Sequence, residues 1–435
     1  MKLWLLVSLL STVWSKSIDL DSLYLEEQLY SAAYNATMEW GTYKPNQFFG
    51  IKNRSPHPVT VGMVWAVPDE ARRGFALRHT YRYQSGDGVT AYFEFHDGWS
   101  ASRQVVEDPS ANARVTVDFA KLLAQAEDGD ISSQWKAVVT VKAIDPAKTV
   151  AMVPFFYLTA EKGSFGVSQV AGAEEGTARL LKVSRESEFF EFMSLDETSF
   201  NIIGLRRRDS IPLWNVEKYF ERKLRDVIMG SSGMEPQSDL IAVRLKQPMQ
   251  EETKFIIAYQ KKKYSSDEEF QKDTVLLKDS SKVILEDFQA LMKLKRRQFD
   301  TKFSAVFNLN QERFEQDDTL KTFKDKGLQF SKEALSNLLG GIGYYYGPVK
   351  IKQGGKGVYD EPAELFTGSP SRSRFPRGFL WDEGFHLMIT CQWSRFLCMD
   401  ILSNWFNSMK PNGWIPREQI RGAEAESAVP SEFVV

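Results

Sequence analysis

The sequence predicts a multidomain β-plus-α protein, with an antiparallel β-sandwich first and a helical part after it. Three observations predict this. The chain has 435 residues, beyond the ~250–300 at which one hydrophobic core stops growing. Over roughly the first two-thirds, apolar and polar residues alternate with a period of two. After about residue 281 the apolar period lengthens to that of a helix.

The chain starts "MKLWLLVSLLSTVWSKS", with Lys2 ahead of twelve mostly apolar residues, Leu3 to Trp14. A membrane span needs about 20 such residues, so residues 1–15 read as a signal peptide or short signal anchor, with a cut expected after Ser15. Membrane association is expected only through this segment. A buried N-terminal helix is the alternative.

Strands are predicted at "VTVGMVWAV" (Val59–Val67), "RVTVDF" (Arg114–Phe119), "WKAVVTVKAI" (Trp135–Ile144) and "SEFFEFMSL" (Ser187–Leu195), each half-buried. Turn signals separate them at Ser85–Gly88, His96–Gly98 and Asp128–Asp130. Short strands punctuated this way favour a sandwich over 16–280 rather than a βαβ array. "TKFIIAYQ" (Thr253–Gln260) reads as the last strand. From Ser281 a helix is expected on the stripe Val283, Leu285, Phe288, Leu291, Met292 and Leu294. A second is expected from about Phe314 to Gly340, with helix and loop only from there on. "FHLMITCQW" and "RFLCMDILSNWFNSM" read as an αα-hairpin turning near Trp393 and Ser394.

Net charge is -2, from 55 basic and 57 acidic residues. Nucleic acid as main partner is excluded by this balance, since phosphate binding needs a clustered basic surplus. The four histidines are scattered and show no metal-ligand spacing. "LLGGIGYYYG" lacks the preceding strand and the Lys-Ser/Thr of a phosphate loop. Neither a metal nor a cofactor is implied. The only cysteines are Cys391 and Cys398. On one straight helix they would lie about 10.5 Å apart along the axis, too far to bridge. A turn between them would allow a bridge, but free buried thiols are the expectation. Sequons at Asn35 ("NAT") and Asn53 ("NRS") mark expected glycosylation.

Chemistry concentrates in two places. "RFPRGFLWDEGFH" (Arg374–His386) crowds Phe375, Arg377, Trp381, Asp382, Glu383 and His386 together. Sugar faces carry C–H groups that lie flat on aromatic rings, and their hydroxyls suit carboxylate acceptors and arginine donors. Asp382 would serve equally as a helix N-cap. "NGWIPREQIRGAEAESAVPSEF" (Asn412–Phe433) adds Trp414, Arg417, Glu418 and Glu424 in a Gly- and Pro-punctuated loop. A third aromatic stretch, "WGTYKPNQFFG" (Trp40–Gly50), reads more simply as a packed loop.

"WGTYKPNQFFGIKNRSPHPVTVGMVW", "LRHTYRY…FEFHDG", "ALSNLLGGIGYYYG", "SRSRFPRGFLWDEGFH" and "GWIPREQIRGAEAESAVPSEF" resemble, in order, blocks of glycoside hydrolase family 63, the processing α-glucosidases. The resemblance runs from about Trp40 to Val435. It implies a β-sandwich docked on an (α/α)6 toroid, here its first part over 331–435 after a helical linker over 281–330. It also implies removal of the outermost glucose from the triglucosylated N-linked oligosaccharide of nascent glycoproteins in the endoplasmic reticulum lumen, with inversion and without a cofactor. The general acid and base are expected beyond Val435, so none of the ten residues named above is given a catalytic role; they are expected to touch sugar. Glu426 stands where the family usually carries Arg. A non-catalytic glycan-binding or partner-binding module is the alternative reading.

Overall fold

The computed structural model describes residues 32–422, apart from 43–44, 55–56, 70–73, 82–87, 126–130, 161, 172–177, 186, 196–199, 207–219, 221–232, 246–251, 262–280, 318–319, 321–322, 324–325 and 354–355. The N-terminal segment, the Asp128–Asp130 turn and most of the Ser85–Gly88 turn lie outside the described residues.

The five strand segments read from the sequence are all strands. Among the described residues sixteen strands join one hydrogen-bonded sheet with edges at Trp40–Thr42 and Thr90–His96. Pairing is antiparallel except between Phe200–Leu205 and Gly233–Met234. Along Val59–Asp69, alternate side chains Val59, Val61, Met63 and Trp65 enter the main core, while Val64 and Ala66 join a smaller cluster behind it. Trp40 lies 5.5 and 4.8 Å, centroid to centroid, from Trp135 and Tyr259. Those strands stand far apart in the sheet order, so the sheet folds over on itself around this core.

The expected half-buried strands need one correction. Val138 and Ile256, on the outward faces of Ile131–Ala143 and Glu252–Lys261, are not solvated. They lie in a second core with Phe288, Met292, Phe299 and Phe303 of the helix Ser281–Phe307. The helix uses most of the expected stripe, with Leu285 and Leu291 packed beside Phe288 and Met292, but it continues through Phe299 and Phe303 and leaves Val283 and Leu294 exposed. Aromatic residues one and several turns apart on one face fill the surface that the sheet leaves open.

Two further corrections follow Phe307. The expected second helix is broken into Gln311–Gln316 and Gly327–Leu339. Beyond it the chain is not helix and loop alone. Ile342–Gly347 pairs along its whole length with Ala363–Gly368, so Thr253–Gln260 is not the last strand. Three consecutive tyrosines favour extended backbone, and a neighbouring strand supplies the bonds that a helix would have satisfied internally.

The hairpin is as expected in kind: helices Leu380–Trp393 and Arg395–Asn407 meet at Ser394. Ser394 has extended backbone, its N–H donates to Thr390 O, and its hydroxyl accepts from Leu397 N–H. This break swings the two helices together and brings the Cα atoms of Cys391 and Cys398 to 4.7 Å, where they form a disulfide. The expectation of free thiols is thereby overturned, because the turn removes the axial separation that forbade a bridge.

Helices and sheet interlock. Asn337 acts as a backbone surrogate for the edge strand: its Oδ1 accepts from Phe93 N–H and its Nδ2 donates to Phe93 O, at 3.0 and 3.1 Å. The His96–Gly98 turn reaches the hairpin, with Trp393 Nε1 donating to Asp97 O at 2.7 Å. Gly98 has φ +95°, and a Cβ there would meet Leu397 Cδ1 at 2.7 Å. Only glycine satisfies both conditions at once.

Candidate functional site

A short two-stranded ladder brings the two charged aromatic clusters together. Gly378 and Phe379 pair with Gln419 and Glu418, and Leu380 N–H donates to Arg417 O at 2.8 Å. Arg377 forms an ion pair with Glu418 across this ladder. Its guanidinium lies 5.4 Å from the Phe379 ring centroid and 5.9 Å from that of Phe375. Phe375 and Phe379 contact edge to face at 5.8 Å.

The helix after the ladder starts one turn earlier than its acids suggested. Phe379 occupies the cap position without a side-chain bond, and Asp382 and Glu383 fall in the first turn. Asp382 is therefore not the N-cap; both acids sit where the positive helix end favours them. Trp381 is 73% exposed and contacts Phe385 at 5.8 Å.

Glu383 points the other way and is buried. Its Oε2 accepts from Thr367 Oγ1 at 2.6 Å and lies 3.5 Å from His386 Nδ1. Trp405 Nε1 donates to Thr367 Oγ1 at 3.1 Å. Glu383 Oε1 is buried without a hydrogen-bond partner among the described residues. A Cβ at Gly368 would approach His386 Nδ1 to 2.7 Å. Sequence reasoning missed Thr367, Gly368 and Trp405, because the strand that carries the first two was read as loop.

Trp414 lies on an exposed turn where its N–H donates to Asn412 Oδ1. The Arg417 side chain is 81% exposed. Glu424 and Glu426 lie outside the described residues. The nine predicted residues that are described thus divide into an open group (Phe375, Trp381, Trp414, Arg417), a ladder pair (Arg377, Glu418), buried Glu383 with half-buried His386, and Asp382 at their boundary. The cavity between sheet and helices, the groove along the long helix and the recess beside Lys410 are lined by other residues. Among the described residues no three His, Cys, Asp or Glu side chains gather as a metal site requires. An open ring with a neighbouring carboxylate and an exposed arginine can stack a pyranose face and bond its hydroxyls.

The expected glycosylation at Asn53 conflicts with the fold. Its side chain is buried, with Nδ2 donating to Glu188 Oε1 at 3.2 Å and Oδ1 accepting from Val59 N–H at 2.7 Å. Asn35 is exposed on the helical residues 32–38.

A sheet-rich first part and a largely helical second part, the second carrying both ring-and-carboxylate segments, make this a β-plus-α protein. The chain belongs to glycoside hydrolase family 63: the family's N-terminal domain matches residues 37–274 and its C-terminal domain matches 283–435. It is 29% identical to a mannosyl-oligosaccharide glucosidase of Arabidopsis thaliana, over 94% of this chain and 47% of that protein. To a probable mannosyl-oligosaccharide glucosidase of Schizosaccharomyces pombe it is 29% identical, over 99% and 56%. To the mannosyl-oligosaccharide glucosidase of Saccharomyces cerevisiae it is 27% identical, over 99% and 56%. The chain spans about half the length of the curated relatives it matches. No helix among the described residues is long and apolar enough to cross a membrane.

Proposed function

We propose that this chain supplies the β region and the first helices of a glycosidase that removes terminal glucose from N-linked oligosaccharide with inversion. The observation that carries the proposal is the ladder between residues 378–379 and 418–419, which seats exposed Trp381 and Arg417 beside Asp382. Sugar contact is proposed for Phe375, Trp381, Asp382, Trp414 and Arg417. Arg377 and Glu418 hold the ladder, and Glu383 and His386 orient the helix end from beneath. Glu424 is proposed as a further sugar contact on its place in the family block alone.

Inverting hydrolysis needs an acid and a base with carboxyls about 6.5–9.5 Å apart, leaving room for the attacking water. Both are assigned to the part of the relatives' length outside this match. The β region (16–280) is read as a sandwich, 281–330 as a linker, and 331–435 as the opening of an (α/α)6 toroid. Exposed Phe385, Met388, Met399 and Phe406 on the hairpin helices support that reading, since further helices would cover them. Action in the endoplasmic reticulum lumen rests on the apolar N-terminal segment and the disulfide, which suits an oxidising compartment.

Tryptophan fluorescence titration with the free triglucosylated oligosaccharide tests the reading. Saturable binding is expected, weakened roughly tenfold or more by Trp381→Ala, in line with about 1–2 kcal/mol for a lost stacking ring. Binding that ignores Trp381 would remove the proposed site. Glucose release by the 435-residue chain would show that the acid and base lie within it.

A further inference from the structure

The third aromatic stretch, left over by the sugar site, lines a partly open cavity of about 70 Å3 at the seam between sheet and helices. One water needs roughly 10–15 Å3 on this measure, so there is room for an ion with its waters. Gly41, Thr42, Pro45, Gln47, Phe49 and Gly50 form one wall, the strands 90–96 and 101–108 another, and Arg372 closes it from the helical side.

The polar inventory of this cavity is one-sided. Lys121 is buried and donates from Nζ to Thr37 O and Trp40 O, which leaves its third N–H. Arg372 donates from Nε to Pro45 O at 2.7 Å and stacks over Phe93 at 4.5 Å, leaving its terminal N–H groups. His96 Nδ1 accepts from Gly98 N–H at 2.9 Å, so the neutral ring carries its proton on Nε2 and presents a donor there. Gln104 is buried and its Nε2 has no partner among the described residues; Gln47 Oε1 is likewise unpartnered. No carboxylate lines the cavity. Asp97, next to His96, accepts from Trp99, Ser100 and Ala101 N–H and from the Ser100 hydroxyl.

Three basic side chains and an idle amide donor around a carboxylate-free space are a poor arrangement when empty. Burial is the main force that pushes Lys121 down to about 7 and Arg372 to about 10; Asp97 and Glu39 offset it only in part at Lys121, as Tyr81 does at Arg372. We infer that the cavity is a binding site for a small monovalent anion of the chloride class, held by Lys121, Arg372, His96 Nε2–H and Gln104 Nε2. A water beside the ion would satisfy Gln47 Oε1. The ion would tie the Trp40–Gly50 loop to Arg372 and so join the two parts of the chain, independently of the sugar site.

The test compares thermal melts of the full chain in sodium chloride and sodium gluconate at fixed ionic strength, with crystals grown in sodium bromide. Chloride is expected to raise the midpoint saturably by roughly 2–5 °C, and bromide to give an anomalous peak in the cavity. Gln104→Glu places a fixed carboxylate there and is expected to abolish the chloride dependence. No bromide peak in the cavity overturns the inference whether or not the melts respond, since the cavity then holds water alone. A Gln104→Glu variant that folds and keeps the full chloride shift overturns it as well.

Discussion

At the scale of single residues, His96 shows how the seam converts burial into pH dependence. Its Nδ1 must stay unprotonated to accept from Gly98 N–H. Burial is the main force that lowers its pKa from 6.5 to about 4; Lys121 and Arg372 push the same way and Asp97 opposes them. The unfolded chain therefore takes up this proton before the folded one does. Its contribution to stability is complete above pH 6.5 and is lost as the pH falls toward 4. Urea midpoints in gluconate buffer between pH 4 and 7 check this. His96→Gln, which keeps an acceptor without the titration, is expected to show a shallower fall than the native chain.

At the scale of elements, the helical hairpin depends on its turn. Ser394 stops the first helix and caps the second, and the disulfide locks the result. Closing so short a loop stabilises by about 2 kcal/mol in the chain-entropy account. Replacing both cysteines with alanine, or adding reductant, is therefore expected to lower the thermal midpoint, while reductant leaves the double variant unchanged. The hairpin also shows what periodicity can and cannot reveal. Apolar spacing gave both helices and the turn between them, but thiol pairing depends on a crossing geometry that spacing does not encode. Ile342–Gly347 is the converse case. Its partner Ala363–Gly368 lies beyond an intervening hairpin, so local reading saw only a Gly-rich loop.

At the scale of the whole molecule, the two parts are joined by interlocking side chains. Arg54 reaches across from the sheet, its guanidinium 4.4 Å from the Phe366 centroid and 5.0 Å from that of Tyr344, with both Nη atoms 3.2 Å from Asp400 Oδ2. Tyr34 donates to the same carboxylate oxygen. A lysine cannot keep the fork and the stacking together. Arg54→Lys is expected to cost about 1–3 kcal/mol in urea unfolding, with the sheet and hairpin signals separating as their coupling weakens.

The sequence by itself determined the order of the molecule: strands first, helices after, the hairpin, and the two clusters where rings and charges meet. Those features follow from local periodicity and composition, which each segment carries alone. Only the tertiary structure decided that Glu383 is buried while Trp381, two residues away, is open, and that Asn53 is spent on Glu188. It also decided that the Trp40–Gly50 stretch meets two basic side chains, Lys121 and Arg372, and the neutral ring of His96. The physical reason is that burial and hydrogen-bond partners are set by whatever packs from elsewhere: Thr367 and Trp405 for Glu383, Arg372 for that loop. Those partners lie tens to hundreds of residues away, and no local pattern names them.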